Sequence, residues 1–211
     1  MPASQAGLTG HTLLAECPGA LLEFFFTPEA CALRLVCREF QAAVAAYPWE
    51  DRRTVILGSI GAWRACFPRA RCANVCMFSF RGVVRRTPVV DADFVHFVGL
   101  WELNMHSCVA VTDAAFAHLQ GIRVLDMSGC NQPTITDSAF GSLTGSIKNL
   151  SMGGCSQPTI TDAAFVHLAG IHELDICGCN QPTITDAAIV HLAGIQILDM
   201  GDCTQLTDAA F

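Results

Sequence analysis

Cysteine, histidine and aspartate are the residues of this chain whose placement could do chemistry. Cys108, Cys130, Cys155, Cys179 and Cys203 follow one another at intervals of 22, 25, 24 and 24 residues. His96, His118, His167 and His191 recur on a similar pitch. Thiols and imidazoles ligate zinc, and a thiol beside an imidazole can act as a nucleophile. A zinc site, however, gathers four ligands at short paired spacings. Here the interval is that of a whole structural unit, so stacked units would set equivalent residues in rows. Helices in such a stack stand about 10 Å apart, too far for successive imidazoles to share an ion. Cys66, Cys72 and Cys76 lack a fourth ligand. Gly153-Gly154 and Gly178 do not follow the pattern of a phosphate loop between strand and helix. We expect buried reduced thiols that pack as small hydrophobes and solvent-facing histidines, with no metal, no cofactor and no catalytic residue. What remains is a row of carboxylates, Asp126, Asp175 and Asp199, which suits binding.

The elements that position these residues come from one repeated stretch. PTITDAAFVHLAGIHEL, from Pro158 to Leu174, returns as PTITDAAIVHLAGIQIL from Pro182 to Leu198. PTITDSAFGSLTGSIKNL ends at Leu150, AVTDAAFAHLQGIRVL at Leu125 and PVVDADFVHFVGLWEL at Leu103. Aligned, they give the series Val75, Leu103, Leu125, Leu150, Leu174 and Leu198, with Phe80 in the first unit where the others carry the cysteine. In the unit around Leu174, Leu174 and Ile176 alternate with Glu173, Asp175 and Cys177, the period of a strand with one buried face. Pro182 fixes a turn. Thr185 then caps a short helix, Asp186 lies near the positive end of its dipole, and Gly194 ends it in a left-handed conformation. One strand and one helix per unit, at a period in the twenties, is the signature of an α/β leucine-rich repeat solenoid.

Composition agrees with a repeat body and separates it from what precedes it. The 211 residues are 52% hydrophobic, with mean hydropathy +0.41. No run reaches the roughly 18 apolar residues of a membrane helix, and the first twelve residues carry no Lys or Arg, so neither membrane insertion nor a secretory signal is expected. Residues 1–86 carry ten Arg against six acids, and residues 87–211 carry Arg123 and Lys148 against thirteen acids. Net charges of +4 and −11 suggest two jobs, and the acidic part lacks the basic face a nucleic-acid groove needs. Lys148 is the only lysine.

Ahead of the repeats, residues 1–12 read as a flexible end, residues 13–51 as a helical cluster, and residues 52–74 as a linker with a degenerate capping repeat; the repeats proper occupy 75–211. Thr27-Pro28-Glu29 predicts a helix start with Thr as cap. Leu33, Val36, Cys37, Phe40 and Val44 recur at three- and four-residue steps along one face. Arg52 to Leu57 predicts a short strand, and Gly58 to Phe67 a helix burying Ile60, Trp63 and Phe67.

Pro18, Leu22 and Phe25-Phe26, then Leu33, Leu35-Val36-Cys37-Arg38 and Phe40, then Trp49, resemble an F-box. Cys17 stands where that family usually has Leu, and the spacing from Phe26 to Val36 is shorter than usual. The units from residue 72 onward resemble the cysteine-containing leucine-rich repeats of F-box proteins, with their L-x-L-x-x-C and I-T-D-x-[AG] rhythm. The resemblance implies a horseshoe whose strands line the concave side. It also implies that residues 13–51 dock on the Skp-family adaptor of a cullin-based ubiquitin ligase, through Pro18, Leu21, Leu22, Phe25, Leu33, Val36 and Phe40. A protein substrate would then lie on the concave face. Its expected contacts are Phe78, Trp101, Glu102, Asn104, His106, Asp126, Glu173, Asp175 and Asp199, which form an acidic groove for a basic or polar segment. On this reading the protein does no chemistry itself and works in the cytoplasm or nucleus. The alternative is a repeat scaffold for protein–protein interaction whose F-box has decayed.

Overall fold

The computed structural model describes residue 22 and residues 25–77 and 87–210. The expectations for Pro18, Leu21, Phe78, Phe80 and residues 1–12 lie outside the described residues. Six three-residue strands form one parallel sheet in chain order: β1 Cys72–Asn74, β2 Glu102–Asn104, β3 Val124–Asp126, β4 Asn149–Ser151, β5 Glu173–Asp175 and β6 Ile197–Asp199. Before β1 lie helices α1 Thr27–Leu33, α2 Arg38–Ala46 and α3 Ile60–Cys66. Between later strands run short helices α4 Asp113–Phe116, α5 Asp137–Gly141, α6 Asp162–Phe165 and α7 Asp186–Ile189. Leu103, Leu125, Leu150, Leu174 and Leu198 stand opposite one another on adjacent strands. This is an α/β repeat with a leucine spine.

The first unit is registered differently from the sequence series. Leu103 faces Ala73, not Val75. Val75 belongs to the next inward row: its N–H donates to the Asn104 carbonyl, as the Met105 N–H donates to Asp126. Matching aliphatic residues chose Val75 because Ala73 is small. A shift of two residues preserves which side chains face inward, so the first unit presents Cys72, Asn74 and Cys76 to the open face of the sheet.

Each coil closes over the same set of residues. In the coil from Leu150 to Ile171 these are Leu150, Met152, Cys155, Ile160, Ala164, Phe165, Leu168 and Ile171, none more than 1% exposed. Rows of equivalent residues run from coil to coil as one continuous core. At about 25 cal/mol per Å² of apolar surface, such rows supply the bulk of the folding drive. The rows loosen at the last coil, where Ile195, Leu198, Met200 and Leu206 are only partly buried.

Side chains stitch the coils together outside the sheet. Each thiol donates to a main-chain carbonyl of the preceding coil: Cys130 to Met105, Cys155 to Met127, Cys179 to Met152 and Cys203 to Ile176, at 3.0–3.3 Å. Each helix-capping threonine does two things. The Thr161 hydroxyl accepts from the Ala163 N–H, as a cap should, and donates to the Asp137 carboxylate of the preceding helix at 2.7 Å. The Thr161 N–H donates to the same carboxylate at 2.7 Å. The pattern repeats from Asp91–Thr112 to Asp186–Thr207. Buried and half-buried glutamines add a third ladder: the amides of Gln132, Gln157 and Gln205 donate to the carbonyls of Cys108, Cys130 and Cys179.

The N-terminal helices gather round Trp49, whose ring N–H donates to the Val44 carbonyl at 2.8 Å. Leu22, Ala30, Val44, Phe67 and Ala70 complete this second core. Trp63 packs against both cores and joins them. The single apolar face expected from Leu33 to Val44 is broken: α1 ends in a turn at 34–36, and Cys37 is extended (φ −160°) before α2 begins. The break lets both helices lean on Trp49, which one straight rod could not do. Thr27 is not the cap of α1 but its first residue, because its hydroxyl and N–H are both taken by Asp51 at 2.9 and 3.0 Å. Residues 52–57 form no strand. Asp51 turns the chain there by accepting from the N–H groups of Arg53 and Thr54. The segment reaches the sheet through the backbone bond from the Ile56 N–H to the Asn74 carbonyl.

Candidate protein-docking surface

The open face of the sheet is built from the residues flanking each buried strand leucine. The strands read half-buried, buried, half-buried in β2 to β5. One row on this face runs Asn74, Asn104, Asp126, Ser151, Asp175, Asp199. Its Asn and Asp members share a local reason to be there. Each side-chain Oδ1 accepts from the N–H two residues on, at Cys76, His106, Ser128, Cys177 and Gly201, which ends the strand in an Asx turn. Ser151, in the remaining coil, links the Ser128 hydroxyl to Asp175 at 2.8 Å on each side. Both carboxylate oxygens of Asp175 therefore already accept a hydrogen bond within the chain. Asp126 and Asp199 each keep Oδ2 without a hydrogen-bond partner among the described residues. Val124, Asp126, Asn149, Ser151, Glu173 and Asp175 line a hollow of about 230 Å³ here.

Several expected contacts are already engaged within the chain. Glu102 pairs with Arg52 at 2.6 Å. Glu173 accepts from the Asn149 amide. Trp101 is 40% exposed at the residue before β2, with the guanidiniums of Arg71 and Arg123 at 4.1 and 5.1 Å from its ring centre. Asn104 and His106 are half-buried on the open face. The structure thus brings Asn104, Asp126, Asp175 and Asp199 into one row and Glu102 and Glu173 into the row beside it. Trp101 stands apart at the rim.

On the N-terminal cluster, Leu22 is 1% exposed and belongs to the inner core, with Phe25 and Leu33 packed against it. Phe40 is half-buried. Leu35 and Val36, on the turn between α1 and α2, are 87% and 67% exposed. The described residues expected to dock therefore divide into an inner set and the outer Val36, beside which Leu35 is exposed as well. Leu35 was not among the expected contacts, although a turn between two amphipathic helices is where an apolar residue escapes burial.

The thiols of the repeat core are shifted away from the ionised form. Burial pushes Cys155 and Cys179 from the ordinary value of 9.0 up to about 12, and Cys130 further. On the open face, burial and the carboxylates of Asp199, Asp202 and Asp175 push Cys177 up as well. An activated cysteine needs the opposite shift. Among the described residues no group of His, Cys, Asp or Glu could hold a metal ion, and no helix is long and apolar enough to cross a membrane. His167 shares a hydrogen bond with Thr144 at 3.0 Å, a contact between neighbouring coils.

No protein-family model matches the chain, and no curated protein matches it. Among solved structures it is similar to a chain of the yeast Rad7–Elc1 complex, at 17% identity over 58% of this chain and 42% of that one, with TM-score 0.41. It is similar to a chain of the TLR13–ssRNA13 complex, at 17% identity over 71% of this chain and 21% of that one, with TM-score 0.49. A chain of the glycosylated Drosophila Toll–Spatzle complex matches at 12% identity over 82% and 26%, with TM-score 0.47. The chain spans less than half the length of each. The fold rests on the strand register and the leucine spine described above.

Proposed function

We propose that this protein is a non-catalytic receptor. It holds a basic or polar protein segment on the open face of its sheet. Through the helices of residues 13–51 it joins a Skp-family adaptor, and so presents the segment for ubiquitin transfer in the cytoplasm or nucleus. The observation that carries this reading is the exposed Leu35–Val36 pair. Burying two such side chains is worth about 1.5–3 kcal/mol each, yet the chain's own core uses neither. The open face contributes the unsatisfied oxygens of Asp126 and Asp199, which suit cationic donors.

The test is co-purification of the full chain with the adaptor. Leu35→Asp/Val36→Asp should lose the adaptor while keeping the wild-type urea midpoint, since neither side chain is in the core. Leu22→Asp cannot serve, because it would unfold the cluster. Asp126→Lys/Asp199→Lys should keep the adaptor and lose the bound protein. Adaptor recovered in full with the Leu35/Val36 variant would defeat the adaptor half of the proposal. Partners unchanged in the aspartate variant would defeat the other half.

A further inference from the structure

The acidic repeat body carries its only two Lys or Arg residues at equivalent positions of adjacent coils. Arg123 and Lys148 each precede a strand by one residue, in a row that runs Arg71, Trp101, Arg123, Lys148, His172. Backbone bonds fix that row: the N–H of each member donates to the carbonyl of the one before it, at 2.7–2.9 Å. Successive members are therefore about 4.8 Å apart, the spacing of paired strands. Thirteen acids lie in residues 87–211, yet among the described residues none approaches Arg123 or Lys148 as a salt bridge. Arg123 lies over Trp101, and Lys148 spends one of its three protons on the Gly170 carbonyl at 3.2 Å. The next residues along each strand, Val124 and Asn149, are neutral, and the flanking Glu102 and Glu173 are held by Arg52 and Asn149. Behind the row, the left-handed glycines Gly121, Gly145 and Gly170 leave open space where a side chain would stand.

We propose that this strand-entry rim is a docking surface for a short acidic peptide segment. Arg123 and Lys148 pair with its carboxylates, and the Trp101 ring, with the guanidiniums of Arg71 and Arg123 over it, holds Arg123 in place at the rim. Two carboxylates on alternate residues of an extended segment lie about 6.6 Å apart, within reach of two cations one coil apart. A nucleic acid fits the rim less well. Its many phosphates need a broad basic face, whereas this row is one side chain wide and borders a body of net charge −11.

The experiment is fluorescence anisotropy of the full chain with a labelled ten-residue peptide of alternating Glu and Gly. A Lys–Gly peptide and a labelled oligo-dT serve as competing probes. The wild type should bind the Glu peptide saturably and more tightly than either other probe, with affinity falling at least threefold between 50 and 300 mM salt. Arg123→Gln/Lys148→Gln should weaken binding about tenfold or more with an unchanged urea midpoint. Asp126→Lys/Asp199→Lys should leave Glu-peptide binding at least as strong, which separates this surface from the open face. No saturable binding of the Glu peptide would overturn the proposal. So would a glutamine variant within twofold of wild type, or tighter binding of oligo-dT that the same variant abolishes.

Discussion

Raising the pH from 8 to 10 should weaken the folded protein by an amount the thiol ladder sets. Cys130, Cys155 and Cys179 lie inside the repeats, each donating to a carbonyl of the coil before it. Burial raises their pKa values, to about 12 for Cys155 and Cys179 and further for Cys130. In the unfolded chain they titrate near the ordinary 9.0. A raised folded value means that the stabilisation is complete below pH 9 and drains away as pH climbs from 9 towards 12, because the unfolded state then sheds protons that the folded state keeps. At pH 10 each thiol costs about 1.4 kcal/mol, and the three together about 4 kcal/mol. With a urea dependence of about 2 kcal/mol per molar, the midpoint falls by about 2 M. Few other groups titrate in this window, since the chain has one Tyr and one Lys; Cys72, which burial also pushes up to about 12, adds about 1.4 kcal/mol to the fall. The assay is urea unfolding by circular dichroism at pH 8 and 10 with a phosphine reductant present. Cys155→Ala removes one rung, so its loss over the same range should shrink by about 1.4 kcal/mol. A wild-type midpoint that moves by less than about 0.5 M, or a Cys155→Ala variant with the full wild-type pH dependence, would refute the ladder's role.

Three further outcomes follow from the packing. Asp137→Ala strips two charge-assisted acceptors from Thr161 and should cost about 2 kcal/mol, read as a urea midpoint; Thr161→Val should cost about as much, because it also removes a helix cap. Leu150→Ala, in the middle of the spine, should cost about 3 kcal/mol, and Leu198→Ala, half-buried in the last coil, clearly less; equal losses would mean that the last coil packs as tightly as the rest. Ser107 and Asp202 hold φ of 59° and 60° at the turn where other coils have Gly129, Gly154 and Gly178. Ser107→Gly should therefore gain about 0.5 kcal/mol and Gly154→Ala should lose about 1 kcal/mol, measured by thermal unfolding.

The repeat was legible because its period, its leucine spine and its Thr-Asp pairs are written in adjacent residues. Thr185 and Asp186 read correctly as a cap and a first-turn acid. The second use of each lies one coil away, in the bonds from Thr185 to Asp162 and from Thr207 to Asp186. A recurring Asp–Thr separation of 21–24 residues was the available signal. Gln157 and Gln181 each stand just before the proline of a turn, yet each is 3% exposed; their recurrence in successive coils is the signal that marks them as internal. The aspartate row looked like a binding surface. It is first a set of strand-ending turns, which explains why Asn74 and Asn104 share it. The break at Cys37 was hidden because apolar steps of three and four describe two short helices as well as one long one. Trp101 precedes its strand by one residue, where alternation no longer decides which way a side chain points.

Each coil hands the next the same carboxylate, thiol and backbone carbonyls at the same places, so a coil is an interchangeable part. Duplicating residues 158–181 in tandem should insert a seventh strand and lengthen the body by about 4.8 Å with no redesign of its neighbours. Because the added interface copies ones already present, the gain in stability should resemble that of any inner coil. The length of this protein is in that sense adjustable by whole steps, and its surface rows lengthen in step with it.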